Sequence, residues 1–491
     1  MKQKLIATAL FIIAIFSLNA QTAMDALRYS RLETGGTARF MALNGAFGAL
    51  GADFSTLSTN PAGIGLYKTS EFTITPSVYA GGTESVFNGT TGEEARVNFN
   101  LGNAGMIFTK DMTGRNDKNG WKYAQFGVGL NRLNDFNNRV NLRGFNPESS
   151  ILDVYTQYAN DHHLTYPEIE EDRFYEYAYD LNPAWWTYLL DTDPDDTTQF
   201  TNPVLVPGSN TNLNINRWGS MNEWVFTFGG NYNDVLYIGA SLGIPYIRYF
   251  EEYSYSESLE SDDNDLRRFH IDRELETKGT GFNVKFGLIA RPLNWLRIGG
   301  AIHSPTYYSN MKDRNIVRFE SRFATPDQDG NTSYSRSNSW SYDYEMTTPF
   351  RAMGSIAFVI GPYGLLSGEY EYVDYSMAKM HNLPWVNDDI RQGYTATHNF
   401  KAGTEWRYNI FSFRAGYAYY DSPYQEGVND AAINSFSGGL GLRFPGYFID
   451  FTYVHSSHSE DYYLYAYGPY EARAQQDVRK QRFMLTLGTK F

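Results

Sequence analysis

A period of two runs through this chain from about Glu71 to its last residue. Phe483, Leu485, Leu487, Thr489 and Phe491 share one face of the final segment, and Arg482, Met484, Thr486, Gly488 and Lys490 share the other. The pattern returns at Phe411, Phe413, Ala415, Tyr417 and Tyr419 against Ser412, Arg414, Gly416 and Ala418. It returns again at Tyr447, Ile449, Phe451 and Tyr453 against Asp450 and Thr452. Successive side chains of a strand point to opposite faces, so these segments read as strands with one apolar side. In a soluble sandwich such sides meet one another across a core. In a membrane barrel they turn outward to lipid, and the polar sides line the lumen.

Connection lengths decide between the two. Fourteen strands are expected, near 71–80, 96–109, 121–131, 215–231, 235–255, 276–291, 296–311, 346–360, 365–378, 396–408, 411–421, 433–444, 447–456 and 478–491. Every second connection is short, as at Tyr232-Asn233-Asp234, Pro292-Leu293-Asn294-Trp295, Gly361-Pro362-Tyr363-Gly364, Asn409-Ile410 and Pro445-Gly446. Only Lys110 to Gly120 is longer. The others are long and polar, for instance Glu257 to Leu275 and Lys312 to Glu345. An even strand count with short turns on one side and long loops on the other predicts an all-β, antiparallel transmembrane barrel of fourteen strands over 67–491. The longest connection, 132–212, is its largest extracellular loop.

The rest of the chain fits that frame. Residues 1–20 carry Lys2 and Lys4, an apolar stretch from Leu5 to Phe16 and a small residue, Ala20, at the cut, and read as a secretory signal peptide. The formal charge of −14 argues against a nucleic-acid partner. With no cysteine, thiolate-held metals and clusters are excluded, and no cofactor is expected. His455 and His458, three apart on a strand, fall on opposite faces and make no metal pair. Asp191, Asp193, Asp195 and Asp196 lack the glycine and distal glutamate of a calcium loop and read as a solvated run.

Residues 21–66 do not alternate. They hold short helical pieces at Thr37–Leu43 and Asp53–Ser58, the latter with Asp53 as N-cap, broken by glycines. So small a segment with so much glycine forms no stable domain alone, but its apolar residues Phe40, Met41, Leu43, Phe47, Leu50, Phe54 and Leu57 argue against a solvated tail. It is expected inside the barrel as a plug. Proline fixes its own φ and keeps the preceding residue out of the helical region, so Asn60-Pro61-Ala62 reads as a helix stop and a hinge.

The run Gly36-Thr37-Ala38-Arg39, then Gly45-Ala46-Phe47-Gly48-Ala49, Asp53 and Asn60-Pro61-Ala62 resembles the hatch of the FadL/TodX family, outer-membrane transporters of long-chain fatty acids and aromatic hydrocarbons. The resemblance implies a fourteen-stranded barrel plugged by an N-terminal hatch, in the outer membrane of a Gram-negative bacterium. It implies passive uptake of hydrophobic small molecules, with hatch movement centred on Gly45, Gly48, Asp53, Asn60, Pro61, Ala62 and Gly63. It also implies an inward kink in the third strand that opens the wall.

The residues of that strand agree that something must change there. Ala124, Phe126, Val128 and Leu130 alternate against Gln125, Gly127, Gly129 and Asn131, but Arg132 then falls on the lipid parity and Leu133 on the lumen parity. An arginine facing lipid at mid-depth costs about 2–4 kcal/mol, so the strand bends, bulges or leaves the bilayer. The expected lateral opening lies at Leu130, Asn131, Arg132, Leu133 and Phe136. In the large loop, Phe174, Tyr177, Trp185, Trp186 and Tyr188 would either pack on neighbouring loops or greet an apolar ligand, and the resemblance supports a capture site.

The expected partners are an apolar solute, outer-membrane lipids and lipopolysaccharide, and the barrel-assembly machinery through the strand that ends at Phe491; the barrel is expected as a monomer. Two other functions remain open from sequence. Plugged barrels resembling this family also serve as shuttles for secreted proteins. A phospholipase could use His455 and Ser457, which share a face, but no third orienting group is identifiable, and the expectation is a protein that is not an enzyme.

Overall fold

Fourteen antiparallel staves close into a barrel in the computed structural model, which describes residues 23–33, 35–113, 120–171, 180–381 and 383–491. Residues 1–20 and both Phe174 and Tyr177 lie outside the described residues. Closure is made by β1 (Glu71–Phe87), which pairs with β2 (Thr90–Asp111) on one side and with the last strand, β20 (Tyr470–Lys490), on the other. Several staves consist of two strands end to end: β3 (Trp121–Asp135) with β4 (Asn138–Asn146), β10 (Leu296–His303) with β11 (Tyr307–Phe323), and β13 (Arg351–Ile360) with β12 (Ser333–Thr347). β7 (Ser209–Tyr232), β8 (Leu236–Leu259), β9 (Leu266–Leu293), β14 (Gly364–Asp374, continued by β15, Lys379–His381), β16 (Ala396–Tyr408), β17 (Phe411–Tyr420), β18 (Ile433–Phe444) and β19 (Tyr447–Tyr467) complete the circuit. The two-residue strands β5 (Asp191–Thr192) and β6 (Phe200–Thr201) pair only with each other in the largest loop.

The wall is inverted relative to a soluble protein. Phe228, Phe282, Phe286, Ile302, Phe413 and Leu487 stand exposed on its outside, while Glu223, Lys285, Glu405 and Asp450 are buried inside. Exposed apolar side chains in such a continuous band require a non-aqueous neighbour, and a closed sheet satisfies every backbone group within it. The architecture is that of an outer-membrane barrel.

The strands reach further than apolar alternation indicates. Most of the polar stretches read as long loops are strand: 81–95, 256–275, 312–345 and 457–477 form extended hairpins. Above the lipid band both faces carry polar groups, so the period survives without its hydrophobic signal. Thus Ser335, Ser337, Ser339 and Ser341 point out from β12 while Asn338, Trp340 and Tyr342 point in.

The N-terminal segment fills the lumen. It begins as helix α1 (Ala23–Ser30), descends past Glu33 and Gly35, and forms α2 (Ala38–Ala42) and two 3-10 turns, Phe54–Ser58 and Pro61–Leu66, before joining β1. Over the far end lies a lid from the largest loop: α3 (Ile151–Asp161), α4 (Tyr166–Glu170) and α5 (Leu181–Trp186). Leu152, Tyr155, Ile169, Leu181 and Leu190 there pack on Tyr255, Phe269, Phe319 and Tyr465 of the wall. A second loop helix, α6 (Pro384–Gly393), folds inward so that Val386 and Ile390 join Ala26 and Leu27 of α1 in one apolar cluster.

Candidate functional site

Polar side chains of the wall hold the plug around its circumference. Thr37 caps α2, donates to both Asp53 carboxylate oxygens at 2.8 and 2.7 Å, and so ties α2 to the turn that Asp53 caps through the Ser55 N–H. Thr452 donates to the Ala38 carbonyl, Ser437 to that of Ala42, Arg297 to that of Leu50 and Ser241 to that of Leu57. Gly48 donates to Glu369 at 2.8 Å, and the Gly45 N–H to the Phe40 carbonyl. Asn60 is buried and uses both ends of its amide: Nδ2 donates to the Gly48 carbonyl at 2.6 Å, and Oδ1 accepts from Ala62 N–H, capping the turn that Pro61 opens. The Gly63 carbonyl accepts from Ala52. At Asn60-Pro61 the wall itself gives way: a Cβ on Gly287 would lie 1.9 Å from Asn60 Oδ1, and one on Gly239 would lie 2.2 Å from the Pro61 carbonyl.

A buried charge cluster adds a second attachment. Arg39 of α2 donates to Glu405 on β16 at 2.9 Å. Glu405 also accepts from Arg414 at 2.7 Å and from Arg407, while Arg414 and Arg443 share Asp450. Sequence reading missed Glu405, Arg414 and Asp450; the available signal was charge on the lumen parity of three otherwise amphipathic strands.

The third stave leaves the wall at mid-height. Its ladder with β2 runs from Asp111–Tyr123 to Asn103–Asn131 and stops there. Its register against β7 slips between Arg132 and Asn134, and Leu133, Asn134, Asp135, Phe136 and Asn137 are all buried, whereas a strand in the wall alternates. Arg132 turns to Asp135 at 2.8 Å, Leu133 and Phe136 join the cluster around α1, and Leu130 stays paired with Ala104. β4 then passes inside β2, close enough that a Cβ on Gly92 would meet the Asn141 carbonyl at 2.4 Å. Among the described residues no ladder joins β2 above Asn103 to the third stave; side-chain contacts such as Arg96–Asn137 cross instead. Outside this break Val97 and Phe99 are 70% and 76% exposed.

The plug seals the break from within. Glu33 and Gly35 donate their backbone N–H groups to the carbonyls of Leu133 and Arg132 at 3.0 and 2.9 Å. The Glu33 side chain is gripped by Lys480 and by Arg482, the latter at 2.7 Å. Burial alone would raise its pKa, but the two cations hold it down at about 2.

Above this seal, between α1 and the lid, lies a cavity of about 440 Å³ that reaches the third stave at Asn134–Asn138. Its lining is mixed: Tyr249, Trp340 and Phe136 stand beside Arg28, Arg217 and Glu251. Arg28 lies over the Tyr249 ring at 4.4 Å, and Arg217 pairs with Glu251 at 2.6 Å. A much smaller void, about 20 Å³, continues toward the break between Gly35, Gly102 and Arg132.

The loop aromatics divide. Trp185 packs on the lid core and stacks with Tyr166 at 6.2 Å; Trp186 and Tyr188 are exposed, the first under Arg336 and the second edge-on to Tyr334. None of the three lines the cavity. His455 stands opposite Phe436 and Ser457 opposite Asn434 on β18.

These features define a class: a transmembrane β-barrel plugged by its own N-terminus, with one wall broken beside the plug. Solved structures superpose on this chain. A FadL homologue from Pseudomonas aeruginosa covers 93% of this chain and 98% of its own, at 13% identity and TM-score 0.55. The toluene transporter TodX from Pseudomonas putida covers 93% and 99%, at 11% identity and TM-score 0.52. At such identities the likeness is one of fold. No family model and no characterised protein sequence matches the chain.

Proposed function

We propose that this barrel carries hydrophobic small molecules passively across the outer membrane, and that its solutes are amphipathic, with an apolar body and a polar end, as in long-chain fatty acids or substituted aromatic compounds. The observation that carries the reading is the continuity from the cavity, past Asn134–Phe136, to a wall break that Glu33 and Gly35 of the plug cover from within. A solute captured at the loops enters the cavity, rings and charged groups receiving its two ends. Displacement of the plug segment then lets it leave sideways between β2 and the third stave. Burial of apolar area, about 25 cal/mol per Å², drives this without coupling to an energy source. The name of one superposable protein, a toluene transporter, supports a hydrophobic solute, and the charged groups of the cavity lining support the polar end.

The gating residues in this reading are Asn60, Pro61, Ala62 and Gly63 with Asp53, Gly45 and Gly48, and the exit is formed by Leu130 to Leu133 and Phe136. Trp186 and Tyr188 are the described candidates for first capture. Uptake of labelled oleate and of toluene by cells producing the wild type, a Pro61→Gly variant or no barrel tests it. Transport predicts wild-type uptake above the empty cells and an altered rate in the variant; equal uptake by empty cells contradicts it. Co-purification of a secreted protein with a barrel inactive in uptake would favour the shuttle reading.

A further inference from the structure

Three adjacent staves carry cations side by side on the outer wall. Arg248 on β8 pairs directly with Lys278 on β9, and Lys278 with Lys312 on β11. Cross-strand partners point to the same face with Cβ atoms about 4.5–5.5 Å apart, and like charges so placed destabilise a sheet. All three are exposed, whereas their strand neighbours Ile247, Tyr249, Thr277, Met311 and Asp313 are buried, which puts the row outside the barrel. Arg314, one outward step along β11, adds a fourth cation. Two carboxylates stand close: Glu276 pairs with Lys278, and Asp343 lies 3.7 Å from Lys312. Four positive charges against two negative ones is a conspicuous excess on a chain of formal charge −14.

The height of the row is as informative as its sign. Toward the short turns the same face continues through Tyr246 and Thr280 into Phe282, Phe286 and Ile302, the lipid-facing band. Away from them it meets Glu252 and Glu274, which pair with each other. An anion drawn to the cations is therefore bounded by acyl chains on one side and by carboxylates on the other. With the long hairpins outside, that level is the headgroup zone of the outer leaflet.

We propose that Arg248, Lys278 and Lys312 form a binding site for the phosphorylated headgroup of an outer-leaflet glycolipid, whose acyl chains run down the wall over Phe282 and Ile302. A guanidinium and two ammonium groups are strong phosphate donors, and a bound phosphate removes the like-charge penalty of the row. The apolar band gives a lipid a second contact that a free phosphate lacks. The site rests on the orientation of the barrel and not on what it transports, so failure of the uptake experiment leaves it standing.

The full-length barrel in phosphatidylcholine nanodiscs doped with diphosphorylated lipid A, with its phosphate-free form or with neither tests this by native mass spectrometry. The wild type is expected to retain the diphosphorylated lipid about tenfold better than R248S/K278S/K312S, and R248K/K278R/K312R to retain it like the wild type. Millimolar inorganic phosphate is expected to leave the lipid bound. Equal retention by the serine variant, equal retention of the phosphate-free lipid, or displacement by inorganic phosphate would each overturn the proposal. A melting temperature of the serine variant no lower than that of the wild type keeps the comparison free of misfolding, and because all three side chains are exposed that is the expected result.

Discussion

Gly35 donates its backbone N–H to the carbonyl of Arg132 at 2.9 Å, in the stretch where the third stave has given up its ladder with β2. A piece of the plug thus takes over backbone pairing that a neighbouring stave supplies elsewhere in the barrel. The seal is narrow: among the described residues the N–H groups of Glu33 and Gly35 donate to the kinked stave, the Arg31 carbonyl accepts from Asn134 Nδ2 at 2.9 Å, and Lys480 and Arg482 hold the Glu33 side chain.

That grip is pH-dependent. Glu33 sits at about 2 in the folded barrel against an ordinary 4.5, so its contribution to stability is complete above pH 4.5 and is lost as pH falls through 2. Melting temperatures measured from pH 6 down to pH 2.5 are expected to fall more steeply for the wild type than for Glu33→Gln. Parallel curves for the two proteins would show that Glu33 holds nothing.

The seat of Asn60-Pro61 is steric as well as polar. Gly287→Ala places a methyl group 1.9 Å from Asn60 Oδ1, so the plug must shift, with an expected loss of about 1–3 kcal/mol. Asn60→Ala leaves the Gly48 carbonyl and the Ala62 N–H without their partner at an expected cost of about 1–3 kcal/mol. Protease nicking of the plug in otherwise folded barrels measures both, and each variant is expected to be cut faster than the wild type.

The fold was legible because lipid selects for alternation, and the segments facing it, such as 411–419 and 483–491, show that alternation without interruption. The hairpins above the bilayer were not, since serine outside and aromatic residues inside, as along Ser335–Tyr342, give no apolar period. The parity break at Arg132 stood in the sequence, and the β2 ladder ends one residue before it. The burial of Leu133–Asn137 on both faces did not stand there, because it depends on the plug and on β4 passing inside the wall. Nor did the pairing of Arg39 with Glu405, 366 residues apart, which only closure of the barrel brings together.

That pairing makes its own prediction. Glu405 is almost wholly buried and serves Arg39, Arg414 and Arg407 at once. Removing one partner of a buried ion pair costs about 3–5 kcal/mol because the charges left behind are uncompensated. Glu405→Gln is therefore expected to loosen α2 and the wall together, seen as faster hydrogen exchange at Met41 and Ala418. Arg39→Met, which leaves Glu405 two other guanidinium partners, is expected to loosen α2 alone.

In the proposed path solute leaves through the break that Glu33 and Gly35 cover. A Cβ on Gly35 lies 3.5 Å from that of Arg132, at the short end of the disulfide range, and the chain has no other cysteine to interfere. The account predicts that a Gly35→Cys/Arg132→Cys barrel, once oxidised, takes up labelled oleate no faster than cells without the barrel, and that reduction restores uptake. Full uptake by the cross-linked barrel would contradict it.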